Sequence, residues 1–426
     1  MIDLTALRAD PQRFAAAWSA RGDTVVVDDL LAQDTAVREL KAAAESKRAE
    51  ANAASKAIGQ AARNGEDIGA AKAAAKKIGD QARELDAQRA EAESDLHNTL
   101  LRLPNICLEE VPVGASENDN SVISTWGEQP EIEISLPHWD IGEELNILDL
   151  TRGAKIGGSG FAVLRGAGAR LQRGLVQFFL DRLTKHDYTE LAVPYLVRPE
   201  IMQGTGQLPK FADQLYACAD DDLLLIPTAE VPVTNLHSGE ILDADAVPLR
   251  YCAHTPCFRR EAGAAGVGTR GITRVHQFDK VEMVWLTPAE RSYDDFLTLR
   301  SHAEGLLQEL ELPYRVLQLC TGDTGFSAAC THDLEVWSPG TESWLEVSSC
   351  STFTDFQARR ANLRYRAEKG GKPQFLHTLN GSGLALPRVW IALLENGQQA
   401  DGSVVLPAAL QPFVGGSRIT SDRIED

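Results

Sequence analysis

The sequence predicts an α+β protein in which a long antiparallel α-helical hairpin precedes a body built on a mostly antiparallel sheet. From about residue 30 to residue 103 the chain has no Phe, Tyr or Trp, and alanine fills more than a quarter of the positions. That is a helical composition. After a polar stretch over about 109–120, short β-rich runs appear with ordinary glycine and proline. Those runs read as joined by loops with no regular helices between them, which disfavours parallel βαβ winding. Two domains are therefore expected, 1–108 and 109–426.

In the first domain, apolar or small residues recur at Val37, Leu40, Ala44, Ala51, Ala54 and Ile58, and again at Ala71, Ala75, Ile78, Ala82, Leu85, Ala92 and Leu96. Alternating spacings of three and four make a coiled-coil seam. Lys47 and Arg89 interrupt it. Between the runs, Asn64-Gly65-Glu66-Asp67 supplies a glycine able to take positive φ, so the arms should fold back antiparallel. At a rise of 1.5 Å per residue each arm spans roughly 45–50 Å. A seam so rich in alanine buries little area, which predicts a thin hairpin projecting from a body. Leu103-Pro104-Asn105 ends it, because proline lacks the N–H that a helix requires. From Arg38 to Arg83 there are ten Lys+Arg against six Asp+Glu, inside a chain of net charge −19. The whole chain should repel nucleic acid at long range, whereas this arm is locally basic. A solvated coil face accounts for that polarity as well as polyanion binding does.

In the second domain, 168–185 reads as an amphipathic helix with Leu171, Leu175, Phe178, Phe179 and Leu183 on one face. Strand-like runs follow at 191–197, 222–226, 249–258, 281–285, 314–319 and 344–348, and a last helix is expected over 384–396. With 426 residues, 43% hydrophobic and 24% charged, the chain can bury a sizeable core, which excludes a disordered or fibrous protein. No apolar run reaches the ~18 residues of a membrane span, and MIDLTALRAD lacks the features of a signal peptide. A cytoplasmic protein with no membrane partner is expected. The seven cysteines, at 107, 218, 252, 257, 320, 330 and 350, include no CxxC. They read as free thiols in a reducing compartment, with no structural zinc.

GxGxxG followed by a helix, GxxxxGK[ST], HExxH and GxSxG are all absent. What remains is a cluster of arginines and carboxylates on expected strands. Phe258-Arg259-Arg260-Glu261 ends one apolar run, a glycine-rich stretch follows, and Arg274-Val275-His276-Gln277-Phe278 returns into Asp279-Lys280-Val281-Glu282. This predicts a long hairpin with arginines near its bend. Strand alternation puts Arg259 and Glu261 on one face, joined by Glu282 if the register permits. An arginine fork there suits a phosphate, and a carboxylate suits an ammonium or hydroxyl group. A cross-strand ion pair on a solvated sheet explains the same residues.

The stretch PCFRREAGAAGVGTRGITRVHQFDKVEMV resembles motif 2 of bacterial-type seryl-tRNA synthetases, which are class II aminoacyl-tRNA synthetases. ELAVPYLV resembles motif 1, and LNGSGLAL with Arg388 and ALLENGQQADG resembles motif 3. GTGQLPKF, IPTAEVPVTN, EVSSCS and FQARRANLRYR fall between them in family order, so the resemblance spans nearly the whole chain. It implies the class II fold, an antiparallel sheet flanked by helices, behind an N-terminal coiled-coil domain. It also implies a homodimer that activates L-serine with ATP and passes the seryl group to tRNA(Ser), with tRNA(Sec) left open as a second acceptor.

By the same resemblance, Arg259 and Arg388 are the catalytic cations. ATP contacts fall on Arg259, Arg260, Glu261, Arg274, Val275, Phe278, Glu346, Val347, Ser348, Ser349 and Arg388, with Phe278 and Arg388 stacking on opposite faces of adenine. Glu346 and Ser349 correspond to ligands of the Mg²⁺ that accompanies ATP. Serine contacts fall on Thr228, Ala229, Glu230, Arg259, Glu282, Asn380 and Ser382. The hairpin becomes the arm that grips tRNA by backbone and shape, with Lys41, Lys47, Arg48, Lys56, Arg63, Lys72, Lys76 and Lys77 as candidate phosphate contacts.

The chain departs from the family pattern at Val267-Gly268 in the motif 2 loop, at Asp187 where glycine is usual, at Trp344-Leu345, and at Gly397 where tyrosine is frequent. Two other readings stand beside a working ligase: a paralogue activating serine for resistance or metabolite biosynthesis, and a tRNA-binding protein without catalysis.

Overall fold

The computed structural model describes residues 1–132, 135–262 and 270–426. The departure at Val267-Gly268 lies outside the described residues. The chain separates into two compact units, one made by 2–19 with 23–103 and the other mainly by 104–426.

In the N-terminal unit, helix α1 (Leu4–Ala9) is capped by the Asp3 carboxylate, which accepts from the Thr5 N–H at 2.7 Å. Helix α2 (Pro11–Ala20) buries Phe14 and Trp18. Helix α3 (Val27–Arg63) opens with Asp28 and Asp29 in its first turn, where acidic side chains complement the helix dipole. Asp34, 4% exposed, accepts from Arg8 and from Arg38 at 3.0 Å. The chain reverses at Gly65, φ +75°, and returns as α4 (Gly69–Leu101). At 37 and 33 residues the arms run about 55 and 50 Å. Every expected seam position is buried or half-buried except Ala71, which is exposed near the turn. Across the seam Arg48 pairs with Asp86 at 2.7 Å. The two polar interruptions find partners on their own helices, Lys47 with Glu50 at 2.7 Å and Arg89 with Glu93 at 3.6 Å.

The body is built on an eight-stranded sheet. Its strands in chain order are β1 (Ser121–Trp126), β2 (Thr189–Glu190), β3 (Leu249–Phe258), β4 (Gln277–Thr287), β5 (Tyr314–Gln318), β6 (Cys330–Ser338), β7 (Ser343–Thr352) and β8 (His377–Ala385). They lie in the order β1-β5-β6-β7-β8-β4-β3-β2, antiparallel throughout except for the parallel β2–β3 pair. The helices that matter here are α5 (His138–Glu144), α6 (Gly166–Thr184), α7 (Glu230–Thr234), α8 (Ser292–Glu309), α9 (Phe356–Ala361) and α10 (Leu386–Gly397). In β4, Val281, Met283 and Trp285 enter the main core with Leu171, Phe178, Phe296 and Trp390. Val284 and Leu286 point the other way, into a second cluster with Ala229, Ala358 and Leu376. The period of two thus gives each sheet face its own core.

The expectation of loops in place of helices between the strands is corrected by α8, an 18-residue helix placed between β4 and β5. Phe296, Leu299, Ala303, Leu306 and Leu307 form its buried stripe. Of the run expected at 191–197 only Leu196–Val197 is strand, the preceding strand having ended at Glu190, and Pro194 between the two cannot donate to a ladder. Strands β1, β6 and β8 were not anticipated. Asp187 has φ +62°, a left-handed conformation that glycine adopts freely and Asp tolerates. A Cβ at Gly397 would stand 2.4 Å from the Val405 carbonyl oxygen, so this backbone has no room for tyrosine there. Trp344 packs 5.3 Å from Trp337, with the Arg315 guanidinium over its ring.

Candidate active site

The β3–β4 register sets Phe278 opposite Cys257, Lys280 opposite Thr255 and Glu282 opposite Ala253. Alternation therefore puts Phe278, Lys280 and Glu282 on one face of β4, with Phe278 at the rim of the main core, and Arg259, two residues beyond Cys257, continues that face. The alternation expected for Arg259 and Glu282 holds. Glu261 leaves the strand with φ +47° yet still lines the same cavity, where Arg274 donates to it at 3.4 Å.

That cavity, about 480 Å³, lies within the body. Arg259, Glu261, Arg274, Val275 and Phe278 form one part of its wall. Glu346, Val347, Ser349 and Arg388 form another, and Thr228, Glu230, Asn380 and Ser382 a third. Four expected residues stand outside the wall. Arg260 is exposed and offers its N–H to the Gln214 carbonyl, since alternation turns it away from Arg259. Ser348 is buried and donates to the Ser382 carbonyl at 2.7 Å. Ala229 packs in the second core. Glu282 is 1% exposed and lies beneath the third group.

The Arg259 guanidinium sits 5.1 Å from the Phe278 ring centroid, and its Nε donates to the Pro227 carbonyl at 3.3 Å. Arg388, at the start of α10, donates to the Glu346 carbonyl at 2.6 Å and lies 3.4 Å from the Glu346 carboxylate. Both arginines thus reach one cavity from stretches more than a hundred residues apart.

Glu230 and Glu282 form the buried floor, bridged by the Asn380 amide, which donates to them at 3.1 and 3.2 Å. Thr228 donates to Glu282 at 2.9 Å, Lys280 pairs with the same carboxylate, and Gln357 donates to Glu230 at 2.7 Å. Burial, and then the neighbouring Glu282 charge, push the Glu230 carboxyl up to about 7. The Asn380 carbonyl oxygen is buried without a partner. Paired carboxylates beside an unsatisfied acceptor make a pocket for a hydrogen-bond donor cation.

Strands β6 and β7 carry a bulge. Asp333 faces Ser349 and Glu335 faces Glu346, so Val347 is the extra residue. Three positions apart, Glu346 and Ser349 would alternate to opposite faces; the bulge returns both to one. Asp333 Oδ1 is buried without a partner, and burial together with Glu346 raises its carboxyl well above the ordinary range. Carboxylate and hydroxyl oxygens are hard donors that fit a Mg²⁺ ion, whose charge would offset the repulsion between Glu346 and Asp333. Among the described residues no group of three or more His, Cys, Asp or Glu side chains is placed to hold a metal ion.

Lys280, Gln357 and Asp333 are the site residues that sequence reasoning missed. Lys280 was within reach, since it alternates with Phe278 and Glu282. On the hairpin, Lys41, Lys56, Arg63, Lys72, Lys76 and Lys77 are exposed, whereas Arg48 is engaged with Asp86 and Lys47 with Glu50.

Residues 1–107 match the seryl-tRNA synthetase N-terminal domain, and residues 216–397 match the class II tRNA synthetase core domain for G, H, P, S and T. A serine–tRNA ligase of Herpetosiphon aurantiacus is 52% identical, with 98% of this chain and 99% of that protein covered. One from Akkermansia muciniphila is 49% identical over 99% of this chain and all of its own. The crystal structure of seryl-tRNA synthetase from Pyrococcus horikoshii complexed with ATP superimposes with a TM-score of 0.92 at 37% identity, covering 99% of this chain and 100% of that one. By both domain matches and by relatives about half identical over nearly its whole length, the chain belongs to the seryl-tRNA synthetase family of class II aminoacyl-tRNA synthetases.

Proposed function

We propose that the cavity condenses L-serine with ATP to seryl-adenylate and pyrophosphate, and that the seryl group is then transferred to the terminal ribose of tRNA(Ser). The observation that carries this reading is the meeting of Arg259 and Arg388 with the Glu230–Glu282 floor in one cavity. The serine carboxylate is already ionised and attacks the α-phosphorus directly, so no side-chain nucleophile is needed. Arg259 bridges that carboxylate and the α-phosphate, offsetting charge that grows in the transition state. Adenine lies between Phe278 and Arg388, with Arg274 and the Val275 backbone alongside. Glu230, Glu282 and the Asn380 carbonyl receive the serine ammonium, while Thr228 and Ser382 complete the serine pocket. Glu346 and Ser349 would hold Mg²⁺, which when bound would neutralise phosphate charge. The same reading takes the protein as a cytoplasmic homodimer, with 1–108 as its tRNA-binding domain and 109–426 as its catalytic domain. Its unpaired cysteines suit a reducing compartment.

The test is serine-dependent ATP–pyrophosphate exchange measured beside charging of tRNA(Ser). Both activities are expected. Exchange without charging favours the paralogue reading, and neither would leave a binding protein.

The floor also sets a pH dependence. Glu230 must be ionised to hold an ammonium, and its carboxyl stands near 7 without ligand. KM for serine should therefore rise about tenfold from pH 8 to pH 6, as the proton competes with serine. For the unliganded protein the sign is the reverse. A carboxyl raised from 4.5 to about 7 costs stability progressively as pH rises through that window, by up to ~3 kcal/mol. Added serine should raise the melting temperature more at pH 8 than at pH 6. A flat serine KM across this range would remove Glu230 from the ammonium site.

A further inference from the structure

His138 opens α5 with no exposed surface, and it faces Glu395 of α10, which has none either. One Glu395 oxygen accepts from the His138 backbone N–H at 2.8 Å and lies 3.0 Å from Nδ1. The other accepts from the Ser338 hydroxyl and from the Gly340 N–H at 3.1 Å. At the far side of the ring, Nε2 accepts the backbone N–H of Ile272 at 3.1 Å. A backbone N–H only donates, so Nε2 carries no proton, and Nδ1 must donate to Glu395. The partners on both sides thus select one neutral tautomer.

The neighbouring residues reinforce this link. The Arg270 guanidinium lies 4.8 Å from the Trp139 ring centroid, and its Nη2 is 3.6 Å from the Asp140 carboxylate. Gly271 has φ +74°, and a Cβ there would stand 2.0 Å from His138 Nε2. Residues 138–140 therefore hold 270–272, and 272–275 line the cavity immediately before Phe278. An oriented imidazole whose other nitrogen is fixed by a carboxylate is a known way to place a group precisely.

We propose that His138, held as the Nδ1-protonated neutral imidazole by Glu395, is a positioning residue that fixes the 272–275 wall against the nucleotide. The inference rests on the reading of this cavity as the ATP site. It assigns Glu395 the same task at one remove, since α10 then ties Arg388 and the 272–275 wall into one unit.

Two substitutions separate the functions of the two ring nitrogens. His138→Gln keeps an acceptor near the Nε2 position and loses the Nδ1 donor; His138→Asn keeps a donor near Nδ1 and loses the acceptor. The expected result is a KM for ATP raised about tenfold or more in His138→Asn, with KM for serine little changed and most of the loss recovered in His138→Gln. Gly271→Ala, which drives a methyl into Nε2, should resemble His138→Asn. ATP binding by calorimetry should rank the variants in the same order, and melting temperatures should show that each is folded. Equal KM for ATP in the Asn and Gln variants, or lowered melting temperature with unchanged ATP binding, would overturn the proposal. Loss of serine-dependent exchange in the unaltered protein would sink the functional reading while calorimetry still ranked the variants. No ATP binding by the unaltered protein would overturn both.

Discussion

Arg259→Ala is expected to lower serine-dependent pyrophosphate exchange by on the order of 10³-fold or more, since it removes a preorganised cation from a developing anionic centre. The fold should survive. Arg259 is half-buried at a strand end, and among the described residues its side chain meets the Phe278 ring and donates to the Pro227 carbonyl. Most of the effect should fall on kcat, with a smaller rise in KM for serine as the carboxylate loses its partner. Arg259→Lys should recover only part of the rate, because an ammonium is a point charge that cannot engage carboxylate and phosphate through a planar fork. Exchange kinetics with a melting curve for each variant check this. Normal exchange in a folded Arg259→Ala protein would refute the assigned role.

Removing residues 37–96 should leave exchange within about twofold of the intact protein and reduce tRNA(Ser) charging by at least ~10² at physiological salt. The hairpin register makes the deletion practicable. Arg48 meets Asp86 across the seam, so by antiparallel pairing position 36 faces position 98, and a short Gly-Ser linker spans the helix-to-helix gap of about 10 Å. The arm has its own thin seam and an exposed basic surface at Lys41, Lys56, Arg63, Lys72, Lys76 and Lys77. Replacing those six together should imitate the deletion and flatten the salt dependence of charging, because a phosphate that no cation neutralises keeps its condensed counterions. Unimpaired charging by the deleted protein would overturn the arm's assignment.

Much of the architecture was legible because local periodicity and tertiary burial agreed. The stripe of Leu171, Leu175, Phe178, Phe179 and Leu183 located α6, whose described span is Gly166–Thr184. The run expected at 249–258 is β3 residue for residue. Helix α8 was equally legible in principle, since Phe296, Leu299, Ala303, Leu306 and Leu307 repeat at helical spacing, but its strand-rich surroundings mask it. Strand β8 was not. Nearly all of HTLNGSGLA is buried, so neither alternation nor a polar face marks it.

The cavity shows the same division. Thirteen of the residues carried over by resemblance line it, while Arg260, Ser348, Ala229 and Glu282 stand behind or beside the wall. Lys280 was readable from alternation along β4. His138, Gln357 and Asp333 were not, because each acts on partners distant in sequence and no local pattern marks a residue for such a role.

By itself the sequence determined the two-part build, the seam and turn of the hairpin, the principal amphipathic helix and the family's set of charged groups, because short-range periodicity and motif chemistry encode these. Tertiary structure alone decided which groups face one another. Glu346 and Ser349 share a face because Val347 bulges out of β7, and Glu230 stands near neutrality because folding buries it beside Glu282. Side-chain direction and proton affinity depend on register, bulges and desolvation, which are properties of the paired strands rather than of either strand alone.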